Sequence, residues 1–357
     1  MGVQSRQNIS GILIQLYKDP DRKSILRMIF EAINLTFIYR ELPKHYFSRL
    51  LFKKRIRNYK DYLPYRYSSD IAMAFNDSRL KDVLDNKLSF DIFFRKHNFP
   101  LPLLLMYNER NVFLRQNQRV EVDSLHGFTE LLKDIFRKNP DYGSIIVKKT
   151  AGSSSGKNIF RVSSDMLSPE KKLEDIYRTV VDSEFIFQET VRQHPVLNTL
   201  NPACLNTMRF DTFTDRDGKI EIMSCYIRMC LNNAHVDNIS AGGCLVGVAI
   251  PEGTLKKYAY STTSVVGVRE LTRHPVTGTV FENYAIPYFK EACDMVLKAA
   301  VLNQSLRLVG WDIAISETGP VLIEGNSDYV IAGNDVAYGG YRSNPVFMKV
   351  LDELKRR

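Results

Sequence analysis

The segment GWDIAISETGPVLIEGNSDY, residues 310–329, decides the fold. Two short apolar runs, 311–316 and 320–324, flank the polar turn Glu317-Thr318-Gly319 and predict a β-hairpin. With that turn centred on Thr318, Asp312 and Glu324 stand directly opposite each other, on one face, with Cβ atoms about 5 Å apart. Asn326 follows two residues later and projects to the same face. Two carboxylates and an amide oxygen converging in this way form a ligand set for a hard divalent cation such as Mg²⁺, which completes its shell with nucleotide phosphates and water. An acidic pair on a hairpin is more often solvated surface. Here Ile313, Ile315, Val321, Leu322 and Ile323 argue for buried strands, and Gly310, Gly325 and Gly333 bracket the acids where a backbone must approach something closely.

A second segment, SIIVKKTAGSSSGKNIFRV at 144–162, places a run of small residues between two β-branched strands. The loop comprises Thr150, Gly152, Ser153, Ser154, Ser155 and Gly156, with lysines at 148, 149 and 157. Exposed backbone N–H groups in such a loop cradle phosphate oxygens, and the lysines supply compensating charge. It is not a Walker A loop: the glycine spacing is one residue short, and Asn158 follows the lysine where Ser or Thr belongs. By itself a Gly/Ser loop is more often an ordinary hairpin turn.

Taken together, VKKTAGSSSGKNIFRV, FIFQETV at 185–191, NTMRF at 206–210 and WDIAIS…VLIEGN resemble the ATP-grasp superfamily in order and spacing, over roughly residues 85–330. Within it, LNTMRFDT, VDNISAGGCLVGV, HPVTG and GWDIAI are most similar to the sugar-transfer-associated ATP-grasp group. The resemblance implies an α+β ATP-grasp fold, with two lobes sandwiching ATP. Lys148 and Lys87 then reach the phosphates, and the 150–156 loop closes over them. Gln188 and Glu189 through Val191 form the hinge that reads the adenine edge. Asp312, Glu324 and Asn326 ligate two Mg²⁺ ions, with Glu324 as the bridge. Arg209 and Arg228 aim at the acyl phosphate and the transferring phosphoryl group, with Asn238 on the same catalytic floor. Two features depart from the pattern. Gly310 stands where many such ligases carry an arginine, leaving oxyanion stabilisation to Arg209 or Arg228. The acidic residue that usually binds the ribose is not evident in RQHPVLN.

Composition sets the outer bounds. The chain has 357 residues, 44% hydrophobic and 25% charged, ordinary values for a globular protein. The longest apolar stretch, 99–107, is interrupted by prolines and falls well short of the roughly 18 residues that suggest a membrane-spanning helix. The start MGVQSRQNIS lacks the apolar core of a signal peptide, and Arg6 breaks the myristoylation pattern. The five cysteines contain no C-x-x-C, as expected of reduced thiols in cytoplasm. The net charge of +9 concentrates in residues 40–66, where nine Lys/Arg face two Asp/Glu among interleaved tyrosines and phenylalanines. That segment reads as a solvated helix face, or as peripheral contact with the inner membrane face or a glycolipid phosphate. Nucleic acid comes last, because no binding motif accompanies the patch.

Three regions follow: a helical, basic 1–85, a first lobe 86–190 carrying the phosphate loop, and a second lobe 191–357 with the metal and substrate site. Apolar spacing predicts helices at 25–38, 46–59, 128–138, 287–303 and 344–357, the fourth burying Phe289, Ala292, Cys293, Val296 and Ala300. The segment 269–287 is expected on the acceptor side, with His274 either a substrate contact or a turn residue. The expected activity is an ATP- and Mg²⁺-dependent ligase. It would join a small-molecule or glycan carboxylate to an amine or hydroxyl acceptor through an acyl phosphate, in surface polysaccharide or glycoconjugate synthesis. A phosphotransferase on the same fold and a non-catalytic nucleotide-binding adaptor are the alternatives.

Overall fold

The computed structural model describes residues 16–17, 19–65, 71, 74–77, 81–116, 118–152, 158–231, 242–263, 267–329 and 331–356. The N-terminal region carries α1 (Ile25–Tyr39) and the short α2 (Lys44–Ser48). Then come α3 (Asp82–Asp85), α4 (Lys87–Lys96), the strands β1 (Leu104–Glu109), β2 (Val112–Arg115) and β3 (Gln118–Glu121), and α5 (Leu125–Lys138). β4 (Ser144–Lys149), β5 (Ile159–Ser163), α6 (Glu174–Val181), β6 (Glu184–Glu189) and α7 (Pro195–Asn198) follow. The chain continues through β7 (Met208–Thr214), β8 (Ile220–Cys230), β9 (Gly243–Ala249), β10 (Thr254–Thr263) and β11 (Gly267–Leu271). It ends with α8 (Phe289–Leu302), β12 (Leu308–Ser316), β13 (Gly319–Asn326), α9 (Ile331–Tyr338) and α10 (Pro345–Lys355).

The strands form two antiparallel sheets, ordered β3-β2-β1-β6-β4-β5 and β11-β10-β9-β8-β7-β12-β13. Alternation along each strand divides the first sheet into two faces. Val147, Phe185, Phe187, Phe113 and Met106 pack with Phe128, Leu132 and Ile135 of α5 and with Ile176 and Val180 of α6. Ile146, Lys148, Ile186 and Gln188 pair across β4 and β6 on the other face. In the second sheet, Phe210, Ile227, Val246, Trp311 and Ile313 share a core with Ala292, Val296 and Ala299 of α8. Leu84, Phe90 and Phe94 of α3 and α4 join the same core. The opposite face holds the polar residues of β7, β8, β12 and β13, partly roofed by α9. Gly247 makes that approach possible, since a Cβ there would lie 2.2 Å from the Ala337 carbonyl oxygen.

Helix α4 binds the two sheets together. Asn86 caps it, accepting from the Leu88 and Ser89 amides. The Lys87 amide donates to the Thr150 carbonyl at the end of β4 (2.8 Å). One turn later, Asp91 accepts from Gln188 Nε2 on β6 (3.1 Å), while the Phe94 ring meets Trp311 edge-on.

Most of the expected elements form, two expectations change and one open alternative is decided. Residues 46–59 are not one helix: α2 ends at Ser48, and Leu50 takes a positive φ of 58°. The chain turns back so that Phe52 O accepts from the Lys23 amide (2.9 Å). The fold thereby buries Leu50, Leu51, Phe52 and Ile56 in one small core, which a single helical stripe could not do. Along α8, Met295 and Ala299 complete the buried stripe whereas Cys293 is only half-buried. The four other cysteines are buried free thiols. His274 is a turn residue: fully buried, it accepts from the Val276 and Thr277 amides, and its Nε2 lies 2.8 Å from the Cys230 carbonyl.

Candidate active site between the two sheets

The hairpin β12–β13 differs from its expected register in an instructive way. Ser316 pairs with Gly319, so the turn has two residues rather than three, and pairing continues to Ile313–Leu322. One extra residue, Ile323, then bulges, after which Asp312 pairs with Glu324 and Gly310 with Asn326. The two offsets cancel, and the acids stand opposite each other as the sequence suggests. A bulge commonly re-aims side chains next to a site.

Across the other edge of β12, Asp312 pairs with Arg209 of β7. Arg209 grips Asp312 bidentately, Nε to Oδ1 at 2.5 Å and Nη2 to Oδ2 at 3.0 Å. Arg228 of β8 adds a third contact, Nη2 to Oδ2 at 2.9 Å. Thr207 Oγ1 fixes the Arg228 guanidinium by accepting from Nε and Nη2. Burial pushes the Asp312 carboxyl up, but the two guanidiniums outweigh it and hold its pKa down at about 2. Gly310 makes the Arg209 trajectory possible. A Cβ there would meet Arg209 Nη1 at 3.0 Å and Cδ at 3.1 Å. The space that a side chain at 310 would take is occupied from the neighbouring strand by Arg209. The Tyr329 ring lies 5.7 Å from that guanidinium.

Glu324 is more open, with its side chain 31% exposed, and Lys87 Nζ lies 3.1 Å from its Oε1. Asn326 Nδ2 donates to the Gly310 carbonyl (3.4 Å). Lys148, on the facing sheet, senses Glu324, Lys87, Asp91 and Asp312. Burial lowers its pKa to about 8, with Lys87 pushing the same way and Glu324 opposing. The structure therefore brings Lys87, Lys148, Arg209, Arg228, Asp312, Glu324 and Asn326 into one neighbourhood, with Asp91 beside Lys148 and Asp211 beside Arg209.

Gln188 is buried, oriented by Asp91, and its Oε1 has no hydrogen-bond partner among the described residues. A buried acceptor left without a donor is costly unless a ligand completes it. The Glu189 carboxylate accepts from the Leu103 amide and the Tyr142 hydroxyl, locking β6 to its neighbours. Val191 lies half-buried just past the strand. Thr150 is buried, its amide donating to the Glu184 carbonyl, and Gly152 takes a positive φ of 68° at the start of the loop. Ser153, Ser154, Ser155, Gly156 and Asn238 lie outside the described residues.

Sequence reasoning missed Asp91, Thr207, Asp211 and Tyr329. Asp91 lies one helical turn after Lys87, a spacing that puts both on one face. Thr207 alternates with Arg209, a signal that was legible. Asp211 is fully buried, accepts from Ser224 and Tyr341, and is pushed up by burial. Nothing local marks it apart from its strand.

The family model described as sugar-transfer associated ATP-grasp matches residues 66–343. No curated protein sequence matches the chain. Among solved structures, D-alanyl-alanine synthetase A from Vibrio cholerae is 13% identical, with 76% of this chain and 66% of that one covered at a TM-score of 0.44. D-cycloserine synthetase DcsG is 12% identical, with 78% and 73% covered at 0.44. Carboxyaminoimidazole ribonucleotide synthase from Aspergillus clavatus, complexed with ATP, is 11% identical, with 71% and 47% covered at 0.40. The chain spans 47–66% of the length of three of the structures it matches.

Proposed function

The chain belongs to the sugar-transfer associated ATP-grasp family, and from that premise we propose that it is an ATP- and Mg²⁺-dependent ligase. In this reading it joins a carboxylate to an amine or hydroxyl, releasing ADP and phosphate, in the assembly of a surface polysaccharide or glycoconjugate. The observation that carries the proposal is the convergence of Lys87 and Lys148 on Glu324, beside the Arg209–Asp312–Arg228 cluster.

The donor set fits Mg²⁺ in its chemistry: Asp312 and Glu324 offer hard carboxylate oxygens and Asn326 an amide oxygen. Asp312, Glu324 and Asn326 would hold two such ions. Mg²⁺ bound there would neutralise charge on the transferring phosphoryl oxygens. Lys148 and Lys87 neutralise phosphate charge. In this reading the unpartnered Gln188 Oε1 accepts from an adenine amine. Arg209 and Arg228, fixed by Asp312 and Thr207, stabilise negative charge without reorganising at the moment of reaction. A substrate carboxylate oxygen attacks the γ-phosphorus as its bond to the β,γ-bridging oxygen breaks, giving an acyl phosphate and ADP. The acceptor nitrogen or oxygen then attacks the acyl carbon, phosphate leaves, and the acceptor loses its proton.

The test uses hydroxylamine as a general acceptor, with Mg²⁺-ATP and pooled amino acids and uronic acids. The ligase reading expects hydroxamate formation that depends on one acid and matches ADP release. ADP release with a stable phosphoester and no hydroxamate would instead make the protein a kinase.

A further inference from the structure

Helix α1 is inside-out relative to an ordinary surface helix. Its inward side presents Met28, Leu35 and the carboxylate of Glu31, which accepts from Lys23 Nζ (2.7 Å) and the Tyr46 hydroxyl (2.8 Å). Its outward side carries Ile25, Leu26, Ile29, Phe30, Ile33 and Phe37, each 51–82% exposed. At 3.6 residues per turn these six side chains fall within an arc of about 140°. Scattered exposed apolar residues need no explanation, but a contiguous apolar face does. Beside its N-terminal end lies a cavity of about 470 Å³ lined by Lys23, Ser24, Arg27, Lys54 and Arg57. Lys23 and Arg27 share Glu31. Lys54 donates to the Pro20 carbonyl, and neither it nor Arg57 pairs with a carboxylate among the described residues.

We propose that this face docks on an anionic membrane surface, the apolar arc entering the acyl boundary and the basic cavity receiving lipid phosphates. Interfacial helices combine these two features, an apolar face bordered by cations, and sink about 5–10 Å into the bilayer. With 15 residues, α1 is too short to span a bilayer, which takes about 20, and no helix among the described residues is long and apolar enough to cross one. Charge favours a bilayer over a second copy of the chain as the occupant: the cations bordering the arc repel their own duplicates and complement phosphate. Met28 and Leu35 of the helix pack in the small core with Tyr46, Leu51 and Tyr59, and the segment after the helix is tied to the rest of the fold. Arg49 forms a buried ion pair with Asp335 of α9 (2.5 Å), and Asn58 Nδ2 donates to the Gly339 carbonyl (2.8 Å). Docking α1 therefore fixes the second sheet relative to the membrane.

The inference does not depend on the ligase reading, because its readout is lipid binding alone. The full chain would be floated with vesicles of phosphatidylcholine, with and without about 30% phosphatidylglycerol. Binding to the anionic vesicles is expected, weakening as salt rises. It should fall at least tenfold in Phe30→Glu/Ile33→Glu, while Lys54→Glu/Arg57→Glu should lose the preference for anionic lipid. Both variants change exposed residues, so each should keep the wild-type circular dichroism and thermal midpoint. Equal binding by wild type and both variants, or no binding by the wild type, would overturn the proposal. So would a wild-type dimer that Phe30→Glu/Ile33→Glu dissociates without any effect on lipid.

Discussion

Arg209 reaches Asp312 across the ladder because residue 310 carries no side chain, and Asp312 stays ionised because two guanidiniums outweigh its burial. The opposite balance holds at Lys148, where burial dominates and lowers the pKa to about 8 from its ordinary 10.5. Between those values the unfolded chain holds a proton that the folded one lacks, so this residue's contribution to stability rises with pH through that window. A bound triphosphate would favour the ammonium, so nucleotide binding above about pH 8 should take up a proton. Isothermal titration of Mg²⁺-ATP at about pH 8.5, in two buffers of different ionisation heat, measures that uptake. Uptake should be clear in the wild type and absent in Lys148→Met; identical buffer dependence in both would contradict the assignment. The acids and Lys148 were legible from residue type and spacing, and Lys87 from the family resemblance. Asp91 and Asp211 were not, because a carboxylate's role depends on partners that are remote in sequence, such as Gln188 and Tyr341.

At the scale of elements, the hairpin was legible and its mechanism was not. Strand alternation placed Asp312 opposite Glu324, but a two-residue turn and a bulge at Ile323 together produce that result. Bulges leave little local signature when the extra residue is itself β-branched. The 46–59 segment went the other way, its helical spacing overridden by the Lys23–Phe52 hydrogen bond and the small core around Leu51. Close packing of α9 on β9 yields a sharper prediction. Gly247→Ala sets a methyl group against the Ala337 carbonyl oxygen, and overpacking of this kind costs about 1–3 kcal/mol. Urea unfolding should show a loss in that range. No loss would mean that α9 moves freely off the sheet.

At the scale of the molecule, the protein consists of two antiparallel sheets held in register by α4. That helix carries Lys87 toward Glu324 at its first residue, fixes Gln188 through Asp91, and seats Phe90 and Phe94 in the second core. The Lys87–Lys148–Glu324–Asp312 cluster is thus assembled from both sheets and cannot form on either alone. The sequence announced the two halves of the site by motif order, whereas the way α4 joins them depends on contacts that no motif encodes. The N-terminal region is built on the second sheet through Arg49–Asp335. Burial raises the Asp335 pKa to about 7 despite the opposing charge of Arg49. The central claim, that Asp312 and Glu324 form a metal site completed by nucleotide, is tested most directly by measuring ATP affinity with and without Mg²⁺. The wild type should bind at least tenfold more tightly with Mg²⁺, and Glu324→Gln, which alters a partly exposed side chain, should fold normally and lose that dependence. Equal Mg²⁺ dependence in the wild type and Glu324→Gln would contradict the account.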